Sequence, residues 1–297
     1  MPTAIIPIML TVLVGYLLER RRSMDVRALS TIAIYVLLPA LIFHSMSTTE
    51  VTLRVALPLI ALALLLLAAL WVIVKGYAVY RRLGLQTESF LMLTSLFMNA
   101  GNMGMPMALY AFGERGLDLA VIWVLVVNSL SNLVAVYYAS RHSGSGAQAV
   151  RTVLTLPTIY AAVLGLVLRQ AGVKLPEFLL DPIQLIGRSV IPVSQLLLGM
   201  QLAKVRAQVG EHLPRVVLPN ALRLVASPLI AFGLVGVLGL HGIAAKVAVL
   251  MAAMPTAINM AIYATEFDAQ PRLVSTAVFT STITSFVTLS GLLVLLR

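Results

Sequence analysis

The chain has no cysteine, and only 11% of its 297 residues are charged, where a soluble globular protein carries about 25%. Without thiols there is no disulfide, no thiolate-bound zinc and no cysteine nucleophile. The four histidines, His44, His142, His212 and His241, are scattered along the chain, so no His-based metal site is expected. Acids are scarce as well, 11 Asp and Glu against 21 Lys and Arg, for a formal net charge of +10. The basic residues fall in short groups between apolar runs and form no basic face, so the excess reads as membrane topology and nucleic acid is not the expected partner. No Ser/His/Asp set, paired carboxylates or metal-ligand motif stands out, which disfavours an enzyme.

What the chain does have is apolar length. Hydrophobic residues make up 60% of it, and a membrane span needs about 20 mostly apolar residues. Ten candidates follow: 4–18, 29–46, 55–74, 89–112, 117–139, 152–168, 183–203, 213–240, 243–264 and 273–296. The first has its charges, Arg20, Arg21 and Arg22, after the apolar run, which marks a span and not a signal peptide. Thirteen Lys and Arg fall after odd-numbered spans and six in the other loops and termini. Because basic loops stay in the cytoplasm, both termini are expected outside it.

The stretch "SRHSGSGAQAVR" (140–151) is Gly/Ser-rich and divides the spans five and five. Residues 1–140 and 152–297 then form two units joined by a cytoplasmic linker at 141–151. "PIMLTVLVGYLL" at 7–18 and "PTIYAAVLGLVL" at 157–168 match 150 residues apart, Pro39 and Pro192 stand 153 apart, and Pro106 and Pro255 stand 149 apart. A repeated unit with an odd number of spans must enter the membrane from the opposite side. The expected fold is therefore all-α: ten transmembrane helices as two inverted five-helix repeats, with spans 4 and 9 broken. Interrupted helices at matching repeat positions mark a secondary transporter's site near the midplane.

The breaks are "NAGNMGMP" (99–106) and "MPTAIN" (254–259). Pro106 lacks an N–H, and Gly101 and Gly104 let the chain leave helical geometry, so span 4 should unwind between Asn99 and Met105. Proline suits a first helical turn; a second half-helix should start near Pro106, and in span 9 at Pro255. Two half-helix N-termini would converge near the midplane, each carrying roughly half a positive charge, and make a site for an anion. Asn99, Gly101, Asn102, Gly104, Pro106, Pro255, Thr256 and Asn259 are the candidate substrate-binding residues. The bland alternative is a pair of proline kinks.

At these positions the sequence resembles the auxin efflux carrier family. The residues that carry the resemblance are Asn99 followed by "MGMP", Pro255, Ala264 to Glu266, Pro271, "STAV" at 275–278, and Pro39 followed by Phe43 and His44. The resemblance implies a scaffold of spans 1, 2, 6 and 7, a moving transport domain of spans 3–5 and 8–10, elevator-type alternating access and a homodimer. It makes Asn99 the leading substrate contact. Three departures turn the reading away from auxin itself: the central loop is short, span 3 has no acidic residue, and Ile42 stands where a polar pocket residue is expected.

Other polar residues carry paired readings. His44 could relay a proton or simply pack; Glu266 could gate or end a helix; Arg223, deep in span 8, could draw in an anion or brace unwound carbonyls. Arg188, nearer a helix end, should snorkel. Asn128, Ser129, Ser131 and Asn132 in span 5, with Thr280, Ser281, Thr282, Thr284 and Ser285 in span 10, could hold a cation or pair between helices. Proton and sodium coupling both stay open, and no other cofactor is expected. The sequence thus points to a carrier of a small organic acid, a carboxylate, in the lipid of a bacterial inner membrane. The rival reading is a membrane-embedded sensor that uses the same pocket without flux.

Overall fold

The computed structural model describes residues 4–140, 157–173, 175–205 and 209–296. Regular structure among them is helical, apart from one isolated antiparallel bridge between Met98 and Thr256. Eleven helices follow in order: α1 (Ile5–Arg21), α2 (Val26–Thr48), α3 (Leu53–Tyr80), α4 (Leu85–Leu96), α5 (Met105–Ser140), α6 (Pro157–Gln170), α7 (Glu177–Lys204), α8 (209–237), α9 (Gly242–Ala252), α10 (Asn259–Glu266) and α11 (Pro271–Leu295). In α2, α3, α7, α8 and α11 the chain is long and apolar enough to cross a membrane. The linker at 141–151 and the start of span 6 lie outside the described residues.

Of the other expected spans, two are divided. Span 4 is split into α4 and the start of α5, and span 9 into α9 and α10. At Gly113 the backbone takes φ 70° and ψ −162°, a conformation open to glycine because it has no Cβ. The chain turns there from the end of span 4 into span 5. In span 9 the helix resumes at Asn259 and not at Pro255, so Pro255 lies in the unwound link. In span 4 the helix resumes earlier than expected: a π turn at Ala100–Gly104, capped by Asn99, runs directly into α5, so residues 100–104 are not unwound and Pro106 lies beyond the first turn of the half-helix.

Three helices widen into a π turn, at Ala33–Leu37, Ala100–Gly104 and Leu222–Ala226. Each ends two residues before a proline, respectively Pro39, Pro106 and Pro228. Proline removes one hydrogen bond and its ring collides with the carbonyl four residues earlier; one extra residue in the preceding turn carries that carbonyl clear. Such turns gather at functional sites, and all three border the region described below.

Two seams hold one side of the molecule. α1 lies along the second half of α7, and the second half of α2 lies against α6. Both seams are closed by glycine: a Cβ on Gly15 would stand 2.2 Å from the Leu196 carbonyl oxygen, and one on Gly165 2.8 Å from that of Phe43. Small residues at a helix interface let backbones approach where no hydrophobic force drives association. The opposite side is a buried core of α3, α4, α5 and α9, centred on Trp123, Leu93, Leu66 and Leu250. The short helix α9 carries Lys246 in its partly exposed first half, and its second half, Val247–Ala252, is apolar all round and buried.

Candidate functional site

Unwound backbone in an apolar setting must find partners, since each unsatisfied group costs several kcal/mol. Here the two breaks satisfy each other. Residues 97–99 and 255–257 run antiparallel, with the Asn99 N–H donating to the Pro255 carbonyl at 2.8 Å and the Ala257 N–H to the Phe97 carbonyl at 2.9 Å. Pro255 contributes only a carbonyl to this ladder, so its missing N–H is no loss. Between them Thr256 is fully buried; its hydroxyl donates to the Thr94 carbonyl at 2.7 Å and its N–H to Ser281 Oγ at 3.3 Å.

The crossing has two chemically distinct ends. At one, α4 and α9 finish with carbonyls that have no partner in their own helix. The guanidinium of Arg223, fully buried in the π turn of α8, meets them. Nη1 donates to the carbonyls of Ser95 and Leu96 at 3.1 and 2.9 Å, and Nη2 donates to that of Ala252 at 2.6 Å and to Ser227 Oγ. Arg223 is therefore the brace of the unwound carbonyls, the second of its two sequence readings.

At the other end α5 and α10 begin. Their first turns border a cavity of about 160 Å³ between the crossing and the helices α2, α5 and α7. Asn99, Gly101, Asn102, Asn128 and Asn259 all line it, joined by Ser30 from α2 and by Ser194 and Gln201 from α7. Asn99 is 5% exposed, and its Nδ2 has no hydrogen-bond partner in the protein. Gln201 Oε1 is likewise buried and unpaired. Every polar side chain on this wall is uncharged. Gly101 and Asn102 belong to a first helical turn, whose N–H groups have no acceptor in their own helix.

Four of the eight residues singled out in the sequence thus meet in the cavity, and four do not. Pro255 and Thr256 belong to the ladder. Gly104 is buried against Met251, where a Cβ would stand 2.8 Å from the methyl carbon, and Pro106 is buried in α5, just after the π turn. Ser30, Ser194 and Gln201 went unnoticed as single polar residues in apolar spans. Their spacing offers a signal in retrospect, because Ser194 and Gln201 stand seven apart, on one face of α7.

A wider crevice of about 810 Å³ adjoins the cavity and shares Ser30, Gln201, Ile258 and Ile262 with it. Arg27, Lys204, Arg272 and the exposed Glu266 stand on its walls. At the far end of α2 two polar contacts join neighbouring elements. Ser45 Oγ donates to Asp118 Oδ1 at 2.5 Å, and Arg188 pairs with Glu114 at 2.9 Å. Arg188, read as a snorkelling residue, is half exposed and paired. His44 precedes Ser45 at this end and lines neither space.

The polar run of α11 is mostly occupied internally. Thr280, Ser281, Thr282 and Ser285 donate to carbonyls three or four residues back, and Asn220 Nδ2 donates to Thr280 Oγ1 at 2.8 Å. In span 5 Ser129 bonds the Leu125 carbonyl at 2.7 Å. The side chain of Asn132 lies outside the described residues. Among the described residues no group of three His, Cys, Asp or Glu could hold a metal ion.

A family model described as "Membrane transport protein" matches residues 1–150 and again 141–293. An uncharacterized transporter of the archaeon Methanothermobacter thermautotrophicus is 29% identical over 296 residues, 96% of this chain and 95% of that one. An uncharacterized transporter of Methanocaldococcus jannaschii is 24% identical over 288 residues, covering 93% and 92% of the two chains.

Proposed function

The chain belongs to the membrane transport protein family, that of the auxin efflux carriers, and from that premise we propose that it is a secondary carrier of a small organic anion, a carboxylate. Family and relatives make it a transporter and not an enzyme. The observation that carries the anion is the unpaired Asn99 Nδ2 in a cavity bordered by two half-helix N-termini. Amide N–H groups with no acceptor, in a field equivalent to roughly half a positive charge per helix, call for a negatively charged acceptor. The cavity of about 160 Å³ holds the volume of about five water molecules, well below a drug-sized pocket of about 300–1,000 Å³. A compact acid of a few carbons suits it.

The proposed architecture is ten spans in two inverted repeats, at the plasma membrane, in a homodimer with both termini outside. The reciprocal seams support the repeat. Gly15 meets Leu196 as Gly165 meets Phe43, at the same spacings of 150 and 153 that relate the two halves of the sequence. In this reading α1, α2, α6 and α7 stand still while the crossing and its neighbours carry the solute between faces. The crevice with Arg27, Lys204 and Arg272 opens to the cytoplasm, by the basic-loop rule. The Ser45–Asp118 bond and the Arg188–Glu114 pair then close the outer face by joining scaffold to transport domain.

Counterflow of labelled mono- and dicarboxylates in proteoliposomes tests the function. A carrier exchanges its substrate across the bilayer, whereas a sensor gains thermal stability from the ligand with no flux. If no small organic acid gives either response, the proposal fails. The outer closure has its own test, eased by the absence of cysteine. Ser45→Cys with Asp118→Cys should transport when reduced, stop when the two thiols are bridged by oxidation or Hg²⁺, and recover with dithiothreitol. Full flux in the bridged protein would show that the contact does not open during transport.

A further inference from the structure

A buried ionised side chain is normally matched by a counter-ion, because desolvation costs several kcal/mol per ion. Arg223 has none among the described residues: its guanidinium donates to three main-chain carbonyls and one hydroxyl. Those carbonyls belong to the last residues of α4 and α9. Each helix end carries roughly half a negative charge, so the two together balance one cation. Ser227 completes the arrangement by donating to the Ala252 carbonyl at 2.8 Å. Carbonyl and hydroxyl oxygens gathered at half-helix C-termini are the ligand set with which a carrier holds a monovalent metal ion.

We propose that Arg223 is a tethered cation, filling with its guanidinium a monovalent-cation site at the C-terminal ends of the two broken helices. The crossing is then held together without a bound metal ion, whichever solute is carried. The π turn Leu222–Ala226 is part of the device, since Arg223 and Ser227, four residues apart, meet the same Ala252 carbonyl from one face of α8. Removing the side chain turns an occupied site into an empty one of the right charge and ligand chemistry for a free cation.

The test is thermal unfolding of the purified protein at fixed ionic strength in the chlorides of Na⁺, K⁺, N-methyl-D-glucamine and, at millimolar concentration, guanidinium. The wild type should unfold at one temperature in all four, and a midpoint that needs Na⁺ or K⁺ overturns the proposal. Arg223→Ala should unfold at lower temperature in N-methyl-D-glucamine and regain stability with guanidinium. The gain should grow with the logarithm of its concentration, as for any ligand of the folded state. A folded Arg223→Ala protein indifferent to every cation also overturns it. If that variant cannot be purified, Arg223→Lys is compared with Arg223→Met in N-methyl-D-glucamine. A more stable lysine variant supports the tethered charge; equal stability refutes it.

Discussion

Replacing Asn99 by aspartate should abolish anion uptake while leaving the ligand-free protein as stable as the wild type. The backbone of Asn99 anchors the crossing through its N–H on Pro255, and that bond survives any side-chain change. The side chain's Nδ2 holds nothing in the protein. Aspartate keeps the shape and reverses the chemistry. Its carboxylate would be held ionised by the same half-helix N-termini that border the cavity, and would take the place of the substrate's own charge. Two like charges about 4 Å apart at an effective dielectric near 20 repel by about 4 kcal/mol, close to a thousandfold in affinity. Asn99→Ala removes only the donors, worth about 1.5–3 kcal/mol toward a charged acceptor, or roughly ten- to a hundredfold. The order wild type, alanine, aspartate in affinity, at equal unfolding temperature, is the signature of an anion site. An aspartate variant that binds as well as wild type would reject the anion, and one that binds a cation instead would identify the charge that the cavity prefers.

The sequence announced this arrangement unevenly. The break in span 4 was legible in place but not in extent: Gly101, Gly104 and Pro106 coincide just beyond it, while the extended segment is the ladder at 97–99 and the chain is helical again, as a π turn, from Ala100. The break in span 9 was legible in place but not in detail. Pro255 looked like the first residue of a helix, whereas the ladder with Phe97 and Asn99 holds it extended and the helix waits for Asn259. That ladder is a pairing between segments about 158 residues apart, and no local pattern encodes it. The same limit hid Ser30, Ser194 and Gln201, which are unremarkable in their own helices and become a wall only when α2 and α7 face the crossing. Arg223 lay between: its depth in an apolar span was plain, and the choice between pulling in an anion and bracing carbonyls required knowing that Ser95, Leu96 and Ala252 end two helices beside it. The three π turns, by contrast, were written in the chain as prolines two residues downstream, a rule that the prolines at 58, 182, 214 and 219 show to be permissive rather than compulsory.

Gly199→Ala should be among the most damaging single substitutions in the protein, although alanine is the smallest change possible. A Cβ at this position would stand 2.0 Å from the carbonyl oxygen of Val12 and 2.6 Å from the amide nitrogen of Tyr16, both in α1. Neither atom can swing aside as a side chain could, so α1 and α7 must separate by more than an ångström along their seam. Overpacking of ordinary side chains costs about 1–3 kcal/mol, and a backbone clash belongs at or above the top of that range. Gly15→Ala attacks the same seam from the other helix, at 2.2 Å from the Leu196 carbonyl. Once one Cβ has forced the helices apart, the second meets a gap already opened, so the double variant should cost less than the sum of the singles. Residues on one interface couple in this way. Unfolding temperatures in detergent of the two single variants and the double variant read both claims, and a Gly199→Ala protein as stable as wild type would refute the close approach. The seam also separates holding still from moving. If α1 and α7 form a static scaffold, whatever Gly199→Ala protein folds should still exchange substrate at a normal rate per molecule. If that fraction is slow, the seam itself takes part in the transport movement.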